Sequence, residues 1–343
     1  MTAKFPPGVN APFQFGPNVQ AKVLFDRIAQ GLPYEKIVDG MDFFCNFRMS
    51  KSTAVNIVAR GIKSPVLTQH KEAAVKFMAQ SYVAHFDETR SSVNGEPWWV
   101  HYAGNDRCSL MHVSVTRGIS ATVAANVMPH FHGVAVHDRF PQYQNEIFEC
   151  DHAFCCAHLV RDLLALEQTG SKYAPKMRDH LLKLRLMAKE NGGKIPEEKE
   201  AWAIGRYRRL VNQGYAETGG RNQPTTPRKK GRPRRSPERN MVLCLDKHQD
   251  CILRFAFDEL VPFTNNLAER ALRPLKNHLK ISGTFINEKS AQNFVDLMMY
   301  IDSSRKNGIR ARAAVKALLA GKTPGFIRKW LELSPVTMSK KAA

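Results

Sequence analysis

Apolar residues recur at helical spacing over the first sixty residues of this chain. The stretches 20–30, 33–44 and 53–61 each place apolar side chains three or four positions apart. Ser50 and Ser52 are both suitable N-cap residues for the third stretch. Three short helices joined by tight turns predict either a helix-turn-helix DNA-binding module or a helical bundle that packs on the next domain.

The pattern then changes to the alternation that is typical of strands. After a helix predicted over 71–81, three runs rich in Val, Trp, Tyr and Thr predict strands. They are SYVAHFDET (81–89), PWWVHYAG (97–104) and SLMHVSVT (109–116). Turn-forming residues at Asn94-Gly95 and at 104–106 predict hairpins between these strands, which would make them antiparallel neighbours.

The order of the elements predicts a fold class. The third strand is followed by a helix predicted over 119–131, a short buried strand at 133–138 and an amphipathic helix over 153–168. Three antiparallel strands followed by a helix, a strand and a helix match the ribonuclease-H-like α/β fold. We therefore expect an α/β catalytic core of that kind, preceded by the small all-α, helix-turn-helix-like region.

The second half of the chain is predicted to be mostly helical, with one basic segment. Residues 171–220 carry no strand pattern, and helices are predicted over 265–280, 288–306 and 310–320. Eight of the nineteen residues 221–239 are Arg or Lys and four are Pro, so this segment cannot bury a core. The predicted divisions are an extended arm (1–18), the helical region (19–70), the first part of the core (71–168), a helical insertion (169–245), the second part of the core (246–320) and a C-terminal tail (321–343).

Charge narrows the range of partners. Lys and Arg outnumber Asp and Glu by 51 to 31, which leaves a formal net charge of +20 and favours nucleic acid as a partner. No apolar run approaches the roughly 18 residues of a membrane-spanning helix, and the N-terminus lacks a signal-peptide stretch. We therefore expect a cytoplasmic, nucleoid-associated protein that binds double-stranded DNA and no membrane. Seven cysteines at irregular spacing predict reduced thiols rather than disulfides.

Three carboxylates occupy positions at which α/β enzymes often bind ligands. Asp87 and Asp138 each follow a predicted apolar strand, although a turn-forming role is the simpler interpretation of each. Glu269 lies in the first turns of a predicted helix, for which Thr264 or Asn265 is a suitable cap. Carboxylate oxygens are the ligands that Mg²⁺ prefers, and three of them suit two ions acting on one phosphodiester.

The segment PFTNNLAERALRPLKNHLKISGTF (262–285) resembles the C-terminal signature of the insertion-sequence-66 family of bacterial transposases. Other parts of that family resemble the segments HFDET, VHDRFPQY, CCAHLVRDL, LPYEKI and SRKNGI, so the resemblance runs from about residue 14 to 320. It implies that Asp87, Asp138 and Glu269 take the places of the family's DDE triad and hold the metal ions.

The resemblance also implies a reaction and its partners. Such transposases use two Mg²⁺ (or Mn²⁺) ions to hydrolyse a phosphodiester at the element end, and the freed 3′-hydroxyl then attacks target DNA. They usually act as homo-oligomers on DNA, and their elements often encode accessory proteins. No paired CxxC precedes Cys45, so the family's zinc-finger region has no counterpart here. Two alternatives stay open, namely a catalytically idle DNA-binding remnant and a related ribonuclease-H-like nuclease.

A group of Cys and His residues follows the second aspartate. Cys155 and His158 match a CxxH of the family, and His158 is a further candidate catalytic residue that would contact the scissile phosphate or orient Asp138. More Cys and His residues crowd positions 150–156. Adjacent cysteines on a helix point about 100° apart, so core thiols are favoured over a zinc site within this segment.

Two groups of basic residues are candidates for DNA contact. The first lies in RKKGRPRRSP, which resembles an AT-hook of the DNA minor groove, while a solvated basic linker is the alternative. The second follows Glu269 at helical spacing, where phosphate contacts are favoured over a salt-bridged surface. For Glu269 itself, an ion pair with Arg273 four residues later is the simpler alternative. The predicted DNA-binding residues are Arg228, Lys229, Lys230, Arg232, Arg234, Arg235, Arg270, Arg273, Lys276 and Lys280.

Overall fold

The structure, a computed structural model, describes residues 15–221 and 235–334. These residues form two compact units. Unit 1 contains the described residues of 1–80, 87–131 and 268–343, and unit 2 contains those of 81–86 and 132–267. In this described part of the chain, no helix is both long enough and apolar enough to cross a membrane.

The N-terminal part of unit 1 is helical, as predicted. The helices are α1 (Pro17–Ile28), α2 (Tyr34–Cys45), α3 (Lys51–Ile62) and α4 (Pro65–Ala79). Ser50 caps α3, because its side chain accepts a hydrogen bond from the backbone N–H of Thr53 at 3.1 Å. The hydroxyl of Ser64, between α3 and α4, donates to the carbonyl of Leu318 at 2.7 Å, so this region packs on the C-terminal helices of the same unit. Whether α1–α3 bind DNA stays a prediction.

The first three strands are β1 (Val83–Val93), β2 (Glu96–Gly104) and β3 (Ser109–Ser114). The prediction that the first strand ends near Asp87 is wrong, because β1 continues to Val93. The continuation was hard to recognise because buried polar residues occupy it. Glu88 is 8% exposed and is satisfied by the guanidinium of Arg117, whose Nε donates to Oε1 at 2.8 Å.

The predicted helix over 119–131 is shorter than expected. It forms α5 (Ile119–Ala124), and a single 3-10 turn follows at Met128–His130. Asn126 has a φ of 58°, a left-handed conformation that cannot continue an α-helix. Pro129 then favours the start of a new turn over an extension of the old one.

The strands of unit 2 are β4 (Val134–His137) and β5 (Asp151–Phe154), which pair in parallel. β4 also pairs in parallel with the start of β1, with Val83 opposite Val134. The full strand order is β3-β2-β1-β4-β5. β5 is not predicted by the sequence, and its last two residues fall in the helix predicted over 153–168, because a four-residue strand without β-branched residues has no periodic signal of its own.

Helices form the rest of unit 2. They are α6 (Cys156–Gln168), α7 (Tyr173–Glu190), α8 (Glu200–Glu217), α9 (Pro237–Lys247) and α10 (Gln249–Phe257). Their buried apolar residues form one core with those of β4 and β5. Tyrosine hydroxyls inside this core are satisfied by backbone carbonyls; for example, Tyr207 donates to Leu245 at 2.8 Å.

The remaining helices are α11 (Asn266–Ser282), α12 (Glu288–Lys306), α13 (Ala311–Leu319) and α14 (Gly325–Leu331). Apart from the first two residues of α11, they belong to unit 1. The observed bounds of α11, α12 and α13 confirm the helices predicted over 265–280, 288–306 and 310–320. α14 lies in the segment predicted to be a tail, where Trp330 is 4% exposed and stacks on Phe77 of α4 at a centroid distance of 4.3 Å.

Gly214 lies where α8 closely approaches its neighbours in unit 2. A Cβ atom at this position would lie 2.6 Å from Cγ2 of Val242 and 3.2 Å from the ring of Tyr173. We expect Gly214→Ala to lower the free energy of unfolding by about 1–3 kcal/mol through overpacking. Gly205→Ala, on the same helix with nothing within 4 Å, should instead raise it by up to about 1 kcal/mol. Urea denaturation of both variants measures the difference, and equal stabilities would contradict this packing.

Candidate active site

The three carboxylates lie on three different elements. Asp87 is the fifth residue of β1, Asp138 directly follows the last residue of β4, and Glu269 is the fourth residue of α11. Asp138 and Glu269 therefore have the local positions that the sequence predicted, whereas Asp87 lies inside a strand rather than at its end. Each of the three residues is half-buried, so each has limited exposure to solvent.

The two aspartates hold equivalent positions relative to the parallel pairing of β1 and β4. The last register pair between these strands joins His85 to Val136 within unit 2. Asp87 comes two residues after His85, and Asp138 comes two residues after Val136. Each aspartate thus follows the same pair of the ladder by the same number of residues. Ligand-binding residues of α/β sheets commonly occur at such positions, near the carboxyl ends of parallel strands.

A buried asparagine in unit 2 links β1 to the start of α11. Asn265 is 1% exposed; its Oδ1 lies 2.8 Å from Nδ1 of His85, and its Nδ2 donates to the carbonyl of Phe86 at 2.8 Å. An amide oxygen can only accept, so this bond requires His85 to carry a proton on Nδ1. Both polar atoms of the Asn265 side chain are therefore used to hold β1.

Cys155 extends this network to β4. The backbone N–H of Asn265 donates to Sγ of Cys155 at 3.1 Å, and the backbone N–H of Cys155 donates to the carbonyl of His137 at 2.8 Å. The network therefore reaches Phe86 and His137, each one residue before a candidate aspartate. Glu269 follows Asn265 by four residues, which is about 6 Å along a helix axis.

The far end of α11 is also held to β1, within unit 1. Phe285 donates its backbone N–H to the carbonyl of Ser92 at 2.9 Å and accepts from the N–H of Asn94 at 2.7 Å. The 17 residues of α11 span about 25 Å, and residues 86–93 of β1 span about 24 Å. The segment that follows α11 is hydrogen-bonded to the end of the strand that carries Asp87.

The thiols after β5 have structural partners. Cys155 accepts from Asn265, whereas Sγ of Cys156 donates to the carbonyl of Ile252 at 3.4 Å, so the two adjacent thiols serve different neighbours. Burial raises the pKa of the Cys156 thiol above its ordinary value, which keeps it protonated. No four His, Cys, Asp or Glu side chains of the described residues converge as a zinc site requires.

The turn after β4 fixes the backbone around Asp138. Oδ1 of Asp138 accepts a hydrogen bond from the N–H of Phe140 at 3.1 Å, which is the turn-forming role that the sequence left open. Arg139 has a φ of 74°, a conformation that costs a non-glycine residue about 1–2 kcal/mol, and its guanidinium donates to Asp162 at 2.5 Å. One hydrogen bond uses a small part of a carboxylate's acceptor capacity, so Asp138 can still bind a cation.

Two residues assigned to the site have a buried polar atom without a hydrogen bond. Within the described residues, no group hydrogen-bonds Oε1 of Glu269 or Nδ1 of His158. A buried carboxylate oxygen that lacks a partner is destabilising unless a ligand satisfies it. A divalent cation with a preference for oxygen is such a ligand, so the unpaired oxygen of Glu269 fits a metal-binding role.

A cavity of about 610 Å³ opens beside Asp138 within unit 2. Aromatic, cationic and polar residues line it: Asp138, Arg139, Phe140, Pro141, Gln144, Phe154, Cys244, Lys247 and His248. Burial lowers the pKa of His248 below its ordinary value, and the positive charges of Lys247 and Arg139 lower it further. The imidazole of His248 is therefore uncharged at neutral pH.

The exposed face of α11 is basic. Arg270, Arg273, Lys276 and Lys280 are all exposed, and none of them forms an ion pair with another described residue. The alternative ion pair between Glu269 and Arg273 is thus not formed. Within unit 1, Arg270 and Arg273 line a cavity of about 370 Å³ together with residues 29–31, so two guanidinium groups face one open space.

The protein family is decided by a match over most of the chain. The family model described as Transposase IS66 family matches residues 12–293. This chain belongs to the IS66 transposase family. The matched range includes all three carboxylates, Asn265 and the whole lining of the cavity beside Asp138. A comparison with curated proteins yields no match.

The basic linker of the transposase falls largely outside the described residues. Arg228, Lys229, Lys230, Arg232 and Arg234 all lie there, so their predicted contact with the minor groove stays a prediction. Arg235 is described and is half-buried directly before Ser236, the N-cap of α9. Ser236 accepts from the backbone N–H of Arg239 at 3.2 Å, which fixes where the linker enters this helix.

Sequence reasoning about the transposase did not recognise the role of Asn265. It was considered only as a helix cap, because Asn is common at that position. Its actual partners, His85 and Phe86, are about 180 residues away along the chain. The pair Asn265-Asn266 is the only local signal of a further role. A helix cap requires one asparagine, so the second one has no function in capping.

Proposed function

We propose that this transposase is a DDE enzyme that hydrolyses a phosphodiester at the ends of its insertion sequence and joins the freed 3′-hydroxyl to target DNA. The observation that carries the proposal is the Asn265 network. Its hydrogen bonds reach Phe86 and His137, which directly precede Asp87 and Asp138, and it holds the start of the helix that carries Glu269. A network of this kind fixes the backbone next to Asp87 and Asp138 and the residue before the helix that carries Glu269.

The strand arrangement supports a ribonuclease-H-like core. β1, β2 and β3 follow one another in the sheet, and β4 and β5 are added in parallel on the other side of β1. The strand that sequence analysis missed, β5, completes this order. Helix-rich residues 156–257 then separate the second aspartate from the glutamate, as the proposed helical insertion requires.

Asp87, Asp138 and Glu269 would hold two Mg²⁺ or Mn²⁺ ions. When bound, such ions lower the pKa of a coordinated water or hydroxyl and stabilise the leaving oxygen. The chain's own groups would position the substrate around them. His158, on the first turn of α6, would donate a hydrogen bond to the scissile phosphate or orient Asp138, and the turn at Arg139 holds the Asp138 backbone.

The substrate proposed here is double-stranded DNA, first at the element end and then at the target. The formal charge of +20 favours a polyanion, and the unpaired cations of α11 offer it phosphate contacts. We further propose that the basic linker binds DNA, that the enzyme acts as a homo-oligomer with accessory proteins of the same element, and that it is nucleoid-associated.

Labelled duplexes carrying the two ends of the element, incubated with the purified protein and Mg²⁺ or Mn²⁺, test the function. Cleavage at the end followed by covalent joining to a second duplex is the expected result. Cleavage without joining would favour a related nuclease. Binding without cleavage, even when extracts containing the element's other proteins are added, would favour an idle remnant and overturn the proposal.

The basic face of α11 makes a separate prediction about DNA affinity. Replacing Arg273 and Lys276 together with Ala should weaken duplex binding and reduce the slope of log K against log salt by about 2, because each phosphate contact contributes roughly one counterion. Fluorescence anisotropy over a salt series measures this slope. Lys322→Ala with Lys329→Ala removes the same charge from exposed positions elsewhere in unit 1 and is the control. Equal slopes for the two pairs would contradict a specific role of α11.

A further inference from the structure

The cavity beside Asp138 has a lining that neither a metal site nor a phosphate contact requires. One part of the lining is aromatic, with Phe140 half-buried and Phe154 2% exposed. The ring of His248 continues it, at a centroid distance of 5.1 Å from the ring of Phe154. Flat rings around an opening are the usual recognition elements for nucleic acid bases, because every base has a π face that can stack on them.

The polar part of the lining suits the rest of a nucleotide. Lys247, in the last turn of α9, is exposed and forms no ion pair with any other described residue. Its ammonium is thus available to a phosphate at the cavity mouth. Gln144 contributes an amide, which can both donate to and accept from the edge of a base. The guanidinium of Arg139 donates to Asp162 and to Sγ of Cys244, which holds it in place in the wall of the cavity.

Size and chemistry together select the kind of ligand. A volume of about 610 Å³ lies within the range of roughly 300–1,000 Å³ that is typical of small-molecule sites. A base inside a duplex is stacked on both faces and paired along its edge, so it can enter such a cavity only after it leaves the stack or where the strand is single. The uncharged imidazole of His248 is compatible with stacking on a neutral base.

We propose that the cavity lined by Phe140, Phe154, Lys247 and His248 binds one unpaired nucleotide of the DNA strand whose phosphodiester lies at Asp138. This inference rests on the proposed function, since it takes Asp138 to be next to the reacting phosphate. The nucleotide's base would stack on Phe140 and His248, with Phe154 packed behind the ring of His248, and its phosphate would contact Lys247. Such capture would hold the strand in register at Asp138 and would make local strand opening part of substrate recognition.

Binding without metal ions tests the proposal independently of cleavage. The probes are a single-stranded oligonucleotide that carries one 2-aminopurine and the duplex of the same sequence, each incubated with the full chain in EDTA. Phe140→Leu keeps an apolar side chain but removes the ring, so we expect about 10-fold weaker binding of the single strand and less quenching of the 2-aminopurine. Duplex binding should change by less than about 2-fold.

A matched pair of lysine variants separates the cavity from general electrostatics. Lys247→Ala and Lys189→Ala each remove one exposed cation from the last turn of a helix in unit 2. Only Lys247→Ala should weaken binding of the single strand more than binding of the duplex. The proposal would be overturned if both lysine variants lost the same affinity for the single strand. It would also be overturned if Phe140→Leu bound the single strand and quenched 2-aminopurine as the parent does. If the parent protein cleaves DNA but Phe140→Leu binds the single strand as the parent does, only the nucleotide site is overturned. If Phe140→Leu selectively weakens binding of the single strand but the parent protein does not cleave DNA, the result counts only against the proposed function.

Discussion

Asp87→Asn, Asp138→Asn and Glu269→Gln are each expected to lower Mg²⁺-dependent cleavage of element-end DNA by at least about 10³-fold, or roughly 4 kcal/mol in activation free energy. Each change replaces one carboxylate oxygen with an amide nitrogen of similar size and removes the negative charge that a divalent cation requires. Glu269→Gln should be among the most damaging, because Oε1 of Glu269 is buried with no hydrogen-bond partner within the described residues. Single-turnover cleavage of a labelled duplex measures the rates.

Neutral substitutions of unrelated carboxylates give the control for these three variants. Asp106 and Glu190 are both exposed, so Asp106→Asn and Glu190→Gln should cleave within about 2-fold of the parent. Thermal denaturation of all five variants should show no loss of fold. A variant of Asp87, Asp138 or Glu269 that keeps more than a tenth of the parent rate would remove that residue from the proposed active site.

Asn265→Ala is expected to reduce both stability and activity, and the loss of activity should be the larger. Removing the amide deletes the hydrogen bonds of Asn265 to Nδ1 of His85 and to the carbonyl of Phe86 in a buried site, which lowers the free energy of unfolding by about 2–4 kcal/mol. The start of α11 then loses its attachment to β1. A displacement of about 1 Å near reacting groups can reduce a rate roughly 10²-fold, so we expect a cleavage loss of that order in the folded protein.

The comparison with Asn105→Ala distinguishes positioning from general destabilisation. Asn105 is 8% exposed and accepts hydrogen bonds from the backbone N–H groups of Arg107 and Cys108 at 3.0 and 2.9 Å, in a turn of unit 1. Asn105→Ala should lower the free energy of unfolding, but the cleavage rate of the folded protein should stay at the parent value. Asn265→Asp keeps the acceptor for His85 and should recover part of the activity. If both Asn→Ala variants cleave equally well once corrected for the folded fraction, Asn265 is a structural residue only. A higher Mg²⁺ requirement in Asn265→Ala alone would support its positioning role.

Local sequence patterns were sufficient for most helices and for the hairpin strands. The spacing at 288–306 predicted α12 with its observed limits, and Ser50 was one of two suggested caps for α3. These features depend on interactions between residues close in sequence, such as a cap with the third residue of its helix. The same reasoning placed Asp138 after a strand and Glu269 near the start of a helix.

Features that depend on distant partners were missed or assigned incorrectly. β5 pairs with the distant β4, and the part of β1 beyond Asp87 contains the buried Glu88, whose charge is neutralised by Arg117. The cavity beside Asp138 brings Phe140 together with Lys247 and His248, which are more than a hundred positions later in the chain. No periodicity or short motif encodes such contacts.

The sequence by itself determined the helical periodicity, the basic character and the three carboxylates of this transposase, because each of these is a property of residue type and near-neighbour spacing. Only the tertiary structure decided that Asn265 holds β1 and reaches β4 through Cys155, and that aromatic and basic residues line a cavity beside Asp138. The physical reason is that hydrogen bonding and burial in a folded chain act across space, so a residue's partners are set by packing and not by its position in the sequence.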